Sequence, residues 1–305
     1  MKSVNKLLKN PAKVVFLLDK VGVSKLIPDK MYLKLKYKAS IGRKLNLKNP
    51  VLYSEKLQWL KINDHNPEYM RLVDKVTAKQ WAEELLGKEY IIPTLGVWEN
   101  FDDIDFDALP NQFVLKCTHD SGGVVVVRDK SKFDKDAARK IIEKSLKRNY
   151  YYVAREWPYK NLPRRIICEE YMTDSPDVDT FTDYKIFCFN GVADSVCVCL
   201  DREKGNTRFY YFDKEWNFKR YNECGMAAPA DFSVPKPDCI DEMFRIAEKL
   251  SVGIPIVRVD LYKSNDQIYF GEMTFFSSGG FGKTLLLDAE KYFGELIDLD
   301  IVRRR

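Results

Sequence analysis

Short runs of β-branched and aromatic residues, each bounded by turn residues, fill the second half of this chain of 305 residues. Two of the turns, Asn190-Gly191 and Ser264-Asn265-Asp266, are typical of hairpins. Asn and Gly tolerate the positive φ angles of two-residue hairpin loops, so each turn predicts a pair of antiparallel strands. Strands are predicted at residues 165–171, 183–189, 192–200, 207–212, 256–262 and 267–273. A mostly antiparallel sheet is therefore expected in this half.

The first half combines helices with further short strands. One helix is predicted from Ser54, taken as its N-cap, and another is predicted after the cap Asp74 and ends at Gly87. Strands are predicted at 90–93, 96–98, 113–117 and 124–128, and further helices at 135–147 and near 238–251. This order predicts an α+β protein with two sub-domains around a cleft.

Positive charge is concentrated in the first 50 residues. Thirteen Lys and Arg stand there against Asp19 and Asp29, which gives this segment a net charge of +11 and the other 255 residues −6. Breaks at Pro11, Gly22 and Pro28 predict short basic helices. Two interpretations remain: a solvated helical arm packed on the body, or peripheral contact of the arm with an anionic membrane or an acidic glycan. Nucleic acid is not expected as a partner, because the body is acidic and the arm has no reading motif.

The cysteines and the apolar runs indicate a cytoplasmic protein. The seven cysteines are odd in number and contain no Cys-x-x-Cys, which is typical of reduced core residues. The apolar run 14–18 is too short for a secretion signal or a membrane-spanning helix, so neither is expected.

A lysine at the end of a predicted strand precedes a loop of small residues. In Lys116-Cys-Thr-His119-Asp-Ser121-Gly122-Gly123, the loop can place backbone N–H groups, and the lysine a positive charge, against phosphate oxygens. The segment is neither a P-loop nor a Rossmann Gly-x-Gly-x-x-Gly motif. An ordinary turn is the alternative interpretation.

Three charged residues converge on a predicted hairpin. Alternation along the strand puts Arg258 and Asp260 on one face, and the hairpin brings Glu272 alongside. Buried charges are costly unless they are paired or bound to metal. Carboxylate oxygens on neighbouring strands suit Mg²⁺ that holds nucleotide phosphates, and the alternative is a salt bridge on a solvated face.

Two weaker patterns lie between these segments. Glu169-Glu170-Tyr171-Met172 follows an apolar strand and can offer backbone groups and a carboxylate to an adenine amino group. Asp177-Val-Asp179 matches the Asp-x-Asp that binds metal in nucleotide-sugar glycosyltransferases, although such tripeptides are common in loops.

The order of these pieces resembles that of ATP-grasp enzymes, and more closely that of the TupA-like ATP-grasp family, which is linked to teichuronopeptide and capsular polysaccharide synthesis. The resemblance implies an ATP-grasp fold after a basic helical arm at 1–50. Two α+β sub-domains, at 51–168 and 169–305, would grip ATP between mostly antiparallel sheets. The resemblance covers about residues 50–300, and the segments that carry it are 54–60, 73–75, 113–116, 119–123, 169–172, 183–191, 258–260 and 271–274.

The resemblance also implies roles for single residues. The phosphates would be held by Lys75 and Lys116 and closed over by His119, Ser121, Gly122 and Gly123. Adenine would be framed by Glu169, Glu170, Tyr171 and Met172, and the ribose or triphosphate would lie near Asp183. Mg²⁺, with Mn²⁺ as the alternative ion, would be bound by Asp260 and Glu272. The catalytic residues would be Lys116 and Arg258, and Arg258 would face the acyl phosphate as it forms.

The implied reaction is attack of a substrate carboxylate on the γ-phosphate of ATP, followed by displacement of the acyl phosphate by an amine. The expected substrates are a carboxylate-bearing sugar or glycan of a cell-surface polysaccharide and an amine donor. A kinase, a glycosyltransferase and an ATP-binding scaffold are the alternatives.

Departures from the family pattern concern the metal and the acceptor. Thr274 stands where many ATP-grasp enzymes have Asn. The helical start is too short for the usual Rossmann-like domain, so the acceptor site is left open among three regions, the basic arm, Arg164 with Arg165, and the loop 277–283.

Overall fold

The computed structural model describes residues 11–172, 182–200 and 207–304. Helices pack on two antiparallel sheets, so the predicted α+β class is confirmed. The helices are α1 Pro11–Lys20, α2 Asp29–Ile41, α3 Tyr53–Asn63, α4 Glu68–Val73, α5 Lys75–Leu86, α6 Lys135–Leu146, α7 Tyr151–Ala154, α8 Glu223–Ala227, α9 Ile240–Ser251, α10 Leu287–Leu296 and α11 Asp300–Arg303. The strands are β1 Thr94–Trp98, β2 Phe113–Cys117, β3 Val124–Val127, β4 Ile166–Glu170, β5 Asp183–Phe189, β6 Val192–Leu200, β7 Arg208–Asp213, β8 Phe218–Lys219, β9 Ile256–Ser264 and β10 Gln267–Thr274.

The first sheet has the strand order β1-β4-β2-β3. Its buried face packs against α6, where Phe113 and Leu115 join Ala138 and Ile142 in one apolar cluster. Lys116 alternates with these residues along β2 and faces away from that cluster, as the period of a strand requires.

The second sheet has the strand order β10-β9-β5-β6-β7-β8. Its core includes side chains from α3, α5, α9 and α10, among them Leu57, Ala82, Leu250 and Phe293. The helices between 53 and 86 therefore pack on the second sheet, although they precede the first sheet in the sequence. Strand β4, the last strand of the first sheet along the chain, ends at residue 170, and the division into 1–50, 51–168 and 169–305 stays a prediction.

Both predicted hairpin turns are confirmed. Asn190 and Gly191 have φ angles of 53° and 84°, and they join β5 to β6. Asn265 and Asp266 have φ angles of 48° and 63°, and they join β9 to β10. In each case two consecutive residues adopt the left-handed conformation that fits the twist of a hairpin.

Two local predictions were wrong at their boundaries. The helix expected from Ser54 begins one residue earlier, at Tyr53, and the N–H groups of the two residues before it, Val51 and Leu52, are bound by the carboxylate of Glu55 at 3.1 and 3.3 Å. The strand expected at 90–93 is instead a turn of 3₁₀ helix, Lys88–Tyr90, followed by one bridge from Ile91 to Phe270. Pro93 has no N–H group to extend that pairing.

The cap predicted at Asp74 is confirmed. Its carboxylate accepts hydrogen bonds from the N–H groups of Val76 and Thr77, both at 3.1 Å. The cap fixes the start of α5 and therefore the position of Lys75, its first residue.

The basic arm is a helical hairpin that packs on the body, as one interpretation of the sequence predicts. Gly22, with φ 77°, follows the end of α1, and Pro28 precedes α2. The Tyr37 hydroxyl lies 2.9 Å from the Ser54 hydroxyl, and the Lys36 ammonium donates to the Val153 carbonyl at 2.5 Å. Within 11–172, 182–200 and 207–304, no helix is both long enough and apolar enough to cross a membrane. All seven cysteines are free thiols, and five of them are buried.

Candidate functional site

A cavity of about 400 Å³ lies between the two sheets. The first sheet contributes the strand positions that face away from α6, and the second sheet contributes the inner end of its hairpin β9–β10. The cavity has a basic part, formed by Lys75, Lys79, Lys116 and Arg128, and an apolar part, formed by Ile92, Val114, Val124, Val126 and Met172. This first cavity therefore suits a ligand with one flat apolar end and one anionic end.

Two lysines share one buried carboxylate at the basic part. Glu169 is 5% exposed, and its two oxygens accept from the Lys79 ammonium at 2.7 Å and from the Lys116 ammonium at 2.5 Å. Burial raises the pKa of Glu169, but the positive charges of Lys116 and Lys79 outweigh burial and lower the pKa to about 2. Glu169 is thus a fixed negative charge that holds both ammonium groups at the cavity, and its side chain is engaged by lysines and not offered to adenine.

The Glu169 carboxylate makes the stability of the fold sensitive to acid. Its pKa of about 2 lies below the value of about 4.3 in unfolded chains, so its stabilisation is complete above the latter pH and is lost as the pH falls toward 2. We expect the free energy of unfolding, from urea titrations, to fall between about pH 5.5 and pH 3 by about 2 kcal/mol more in the wild type than in Glu169→Gln. Parallel pH profiles for the two proteins would contradict this role.

The loop after Lys116 is held by its own aspartate. The Asp120 carboxylate accepts from the N–H groups of Gly122 and Gly123 at 3.3 and 3.2 Å and from the Ser145 hydroxyl. A Cβ at Gly123 would lie 2.5 Å from the Ser145 Oγ, so only glycine fits there. Of the predicted loop residues, Ser121 lines the first cavity, whereas the N–H groups of Gly122 and Gly123 are engaged by Asp120 and not offered to a phosphate.

Of the two predicted phosphate-site residues Lys75 and His119, Lys75 lies at the first cavity and His119 does not. The Lys75 ammonium lies on the cavity wall and donates to the Asp120 carbonyl; burial lowers its pKa. His119 is 3% exposed, and its Nε2 contacts the carbonyls of Ser145 and Arg148, both at 3.2 Å. The structure therefore brings Lys75 to the first cavity and places His119 under the end of α6, away from it.

The segment after β4 forms one edge of the first cavity. Glu170, Tyr171 and Met172 line it, as predicted for an adenine-binding edge. The Tyr171 hydroxyl accepts from the Arg128 Nε at 3.1 Å. Arg128 and Lys79 were missed by sequence reasoning, although Lys79 follows Lys75 by four residues on a helix and so shares its face. The pattern Asp177-Val-Asp179 lies outside the described residues.

A second charged cluster lies on β5, β9 and β10. Arg258 and Asp260 form a two-point ion pair, with Nε to Oδ1 at 2.6 Å and Nη2 to Oδ2 at 2.7 Å. The Lys185 ammonium lies 2.6 Å from Asp260 and 2.6 Å from Asp183. Burial raises the pKa of Asp260, but Arg258 and Lys185 lower it below its ordinary value, so Asp260 remains ionised.

Asp183 belongs to this cluster. It is 2% exposed, lies outside the wall of the first cavity and pairs with Lys185. Its place near the ribose or the triphosphate stays a prediction. Lys185 was also missed, although alternation along β5 puts residues 183 and 185 on one face.

A β-bulge at Gly271 determines where Glu272 points. The bulge makes Glu272 the direct partner of Asp260 in the ladder β9–β10, so both side chains share a face. The Glu272 side chain is 42% exposed on the wall of the first cavity, and its Oε1 lies 3.5 Å from the Arg258 Nη2 and accepts from the Thr274 hydroxyl at 3.0 Å. Glu272 is therefore the carboxylate of this cluster that reaches the first cavity.

The oxygen atoms of this cluster are of the kind that Mg²⁺ prefers as ligands. Asp260 and Glu272 offer hard oxygen donors from paired positions, and Thr274 adds a hydroxyl at the same place. Among the described residues no cluster of three or more His, Cys, Asp or Glu side chains is arranged to hold a metal, so an ion here would also need ligand or water oxygens.

A second cavity, of about 310 Å³, adjoins the charged cluster. Arg258 and Lys185 lie on its wall beside the aromatic rings of Phe187, Phe209 and Tyr211. Ser54, Thr284 and Glu290 add polar groups. Because Arg258 lines the second cavity and contacts Glu272 of the first, it lies at the junction of the two.

The loop Ser277–Gly280 closes one side of the second cavity. Its residues Ser278, Gly279 and Gly280 have φ angles of 52°, 61° and 65°. Side chains of α3 hold their carbonyls: the Lys61 ammonium donates to Gly279 at 2.5 Å, and the Gln58 amide donates to Gly280 at 2.7 Å. Of the three regions left open for an acceptor, this loop lies next to Arg258, whereas Arg165 is paired with Asp74 at 2.8 Å.

Comparison with known proteins identifies one family. The sequence profile of the TupA-like ATP-grasp family matches residues 55–298, and no curated protein matches. Among solved structures, the ATP-grasp ligase PsnB with minimal precursor, Mg and ADP has a TM-score of 0.42 and 9% identity, over 82% of this chain and 66% of that one. The D-alanine–D-alanine ligase of Bacillus anthracis with ATP has a TM-score of 0.40 and 14% identity, over 74% and 63%. That of Helicobacter pylori has a TM-score of 0.38 and 16% identity, over 74% and 61%. The chain therefore spans slightly less than two thirds of the length of each.

Proposed function

Because this chain belongs to the TupA-like ATP-grasp family, we propose that it is an ATP-dependent carboxylate–amine ligase. The observation that carries the proposal is the junction at Arg258, which lies on the wall of the second cavity and 3.5 Å from Glu272 on the wall of the first. A cation at this point can contact a phosphate in one cavity and a carboxylate in the other.

ATP would occupy the first cavity. Its adenine would lie between Ile92, Val126 and Met172, at the edge formed by Tyr171. Its phosphates would be held by Lys75, Lys116 and, in addition to the sequence prediction, Lys79. Mg²⁺, with Mn²⁺ as the alternative, would be bound by Asp260 and Glu272 and would neutralise the phosphate oxygens. Asp260 would then exchange part of its contact with Arg258 for the ion.

The acceptor carboxylate would occupy the second cavity. Arg258 would orient this carboxylate toward the γ-phosphate and stabilise the charge that develops during transfer, an electrostatic role in which no side-chain nucleophile is required. The carboxylate oxygen bonds to the γ-phosphorus as ADP leaves, and the amine then bonds to the acyl carbon as phosphate leaves. The overall products are an amide, ADP and phosphate.

The chemistry of the second cavity favours a sugar that carries a carboxylate. Aromatic rings at Phe187, Phe209 and Tyr211 offer flat apolar faces for a sugar ring, and the hydroxyls of Ser54 and Thr284 suit its hydroxyl groups. We therefore propose a uronic acid unit of a cell-surface polysaccharide, or its precursor, as the acceptor. The cell-surface context rests on the family alone.

The first test is calorimetric titration with a non-hydrolysable ATP analogue and Mg²⁺, beside UDP-sugars. We expect the analogue to bind, and we expect binding to weaken at least about tenfold in Glu272→Gln and in Asp260→Asn plus Glu272→Gln, because each change removes a charged metal ligand. Asp288→Asn plus Glu295→Gln, two exposed carboxylates of α10, is the matched control. UDP-sugar binding without analogue binding would overturn the proposal in favour of a glycosyltransferase.

A second test separates a ligase from a kinase. Incubation with ATP, Mg²⁺, uronic acids and hydroxylamine is expected to give a hydroxamate, because hydroxylamine attacks an acyl phosphate but not a phosphate ester. A phosphorylated sugar without hydroxamate would show that the same ATP site serves a kinase.

A further inference from the structure

The end of the helical arm exposes a dense group of apolar side chains. Six of the sixteen large apolar side chains that are exposed among the described residues lie within 16–31, which we call the arm tip. Leu26 is 85% exposed, the highest value of the sixteen. Such a concentration is typical of an interaction site and not of a solvated surface. The six are Phe16, Leu17, Val21, Val23, Leu26 and Met31.

The arm tip is one connected structure. Hydrogen-bonded turns link Val21 to Leu17 at 3.0 Å, Lys25 to Gly22 at 3.2 Å and Met31 to Pro28 at 2.9 Å. Its inner side is already occupied, because Ser24 is buried and its carbonyl accepts from the Arg155 guanidinium at 2.6 Å, and the residues that follow the tip, Tyr32 and Leu33, are fully buried. The exposed apolar side chains are therefore those left over after the arm has packed.

The carboxylates of the arm tip are paired with other side chains, whereas its lysines are exposed. Its two carboxylates are paired: Asp19 accepts from the Tyr32 hydroxyl at 3.0 Å, and Asp29 pairs with the buried Arg155 at 2.8 Å. Lysines remain exposed around the apolar group, with no other carboxylate in the segment. The four that follow one another along the tip and into α2 are Lys20, Lys25, Lys30 and Lys34.

We propose that the arm tip is a docking surface for the anionic lipid face of a membrane. Lysines bind the lipid headgroups, and Phe16, Leu17 and Leu26 enter the boundary of the acyl chains. An acidic glycan offers charge but no apolar phase, so it would leave the six apolar side chains without a partner. The lysines would repel those of a second copy of the chain. This surface is separate from both cavities and does not depend on the proposed reaction.

The test is flotation of the full chain with phosphatidylcholine vesicles, with and without phosphatidylglycerol. We expect retention on the anionic vesicles and a loss of at least about tenfold when Lys20, Lys25, Lys30 and Lys34 are all changed to Gln. A similar loss is expected for Phe16→Ser, Leu17→Ser and Leu26→Ser combined. All these side chains are exposed, so the variants are expected to fold like the wild type, and the free energy of unfolding from urea titration checks this in each of them.

Matched controls remove equal numbers of lysines or exposed apolar groups elsewhere. They are Lys132, Lys140, Lys144 and Lys147 changed to Gln, and Val192→Ser, Met226→Ser and Val252→Ser combined, all of them exposed. The controls are expected to float like the wild type. The proposal would be overturned by absence of flotation, or by flotation that the tip variants leave unchanged. It would also be overturned if the chain bound only an acidic polysaccharide and the apolar changes did not affect that binding.

Discussion

Replacement of Arg258 by methionine is expected to lower amide formation by about 10³-fold or more, since a cation that stabilises phosphoryl transfer contributes on that scale. Methionine keeps the apolar stem but removes both hydrogen bonds to Asp260 and the contact with Glu272. ATP-analogue affinity should fall much less, because Arg258 does not line the first cavity. The measurement is ADP release under saturating ATP and acceptor.

Two comparisons make the Arg258 result specific. Arg258→Lys keeps the charge but cannot form the two-point contact, so an intermediate rate is expected. Arg245→Met removes an exposed arginine on α9 and should leave turnover unchanged. Wild-type turnover in Arg258→Met would contradict the assigned role.

Gly294→Ala is expected to cause the largest loss of stability among single conservative changes, about 3 kcal/mol, at the upper end for overpacking. A Cβ at Gly294 would lie 2.0 Å from the Val51 carbonyl oxygen and 3.0 Å from the Tyr53 nitrogen. These atoms are backbone, so α10 must move away from the start of α3. The free energy of unfolding from urea titration measures the effect.

Gly294→Ala should weaken ligand binding in the second cavity more than in the first. The contact between α3 and α10 holds the Ser54 hydroxyl 2.6 Å from the Glu290 carboxylate, and both residues line the second cavity. Acceptor binding should therefore weaken while ATP-analogue binding is retained. Glu295→Ala, at an exposed position of the same helix, is the control, and equal stability of the two variants would show that no close contact exists at Gly294.

Local chemistry made much of the second sheet predictable. The turns at Asn190 and Asn265 need only residues that accept positive φ, and those residues stand in the sequence. The shared face of Arg258 and Asp260 followed from alternation along their strand. Helix α3 begins one residue early: the Glu55 carboxylate binds the N–H groups of the two residues before the helix, while Ser54 lies inside it and is bound to Glu290.

Contacts between distant segments could not be predicted in the same way. Glu272 lies beside Asp260 as expected, but the turn alone does not put it there. The register of the turn would place Glu272 opposite Val259, on the other face, and the bulge at Gly271 shifts that register by one residue. A glycine within a predicted strand was the available signal for that bulge. The burial of His119 beneath α6 had no local signal, since it depends on carbonyls 26 and 29 residues away.

The contact between Arg258 and Glu272 has a thermodynamic consequence. If a nucleotide in the first cavity changes the position of Glu272, it changes the guanidinium that the second cavity presents to its ligand. Any such effect must be reciprocal: the factor by which nucleotide changes acceptor affinity equals the factor by which acceptor changes nucleotide affinity. One pair of side chains would thus couple the two binding equilibria, and the order in which substrates bind would follow from their concentrations and not from a separate gate.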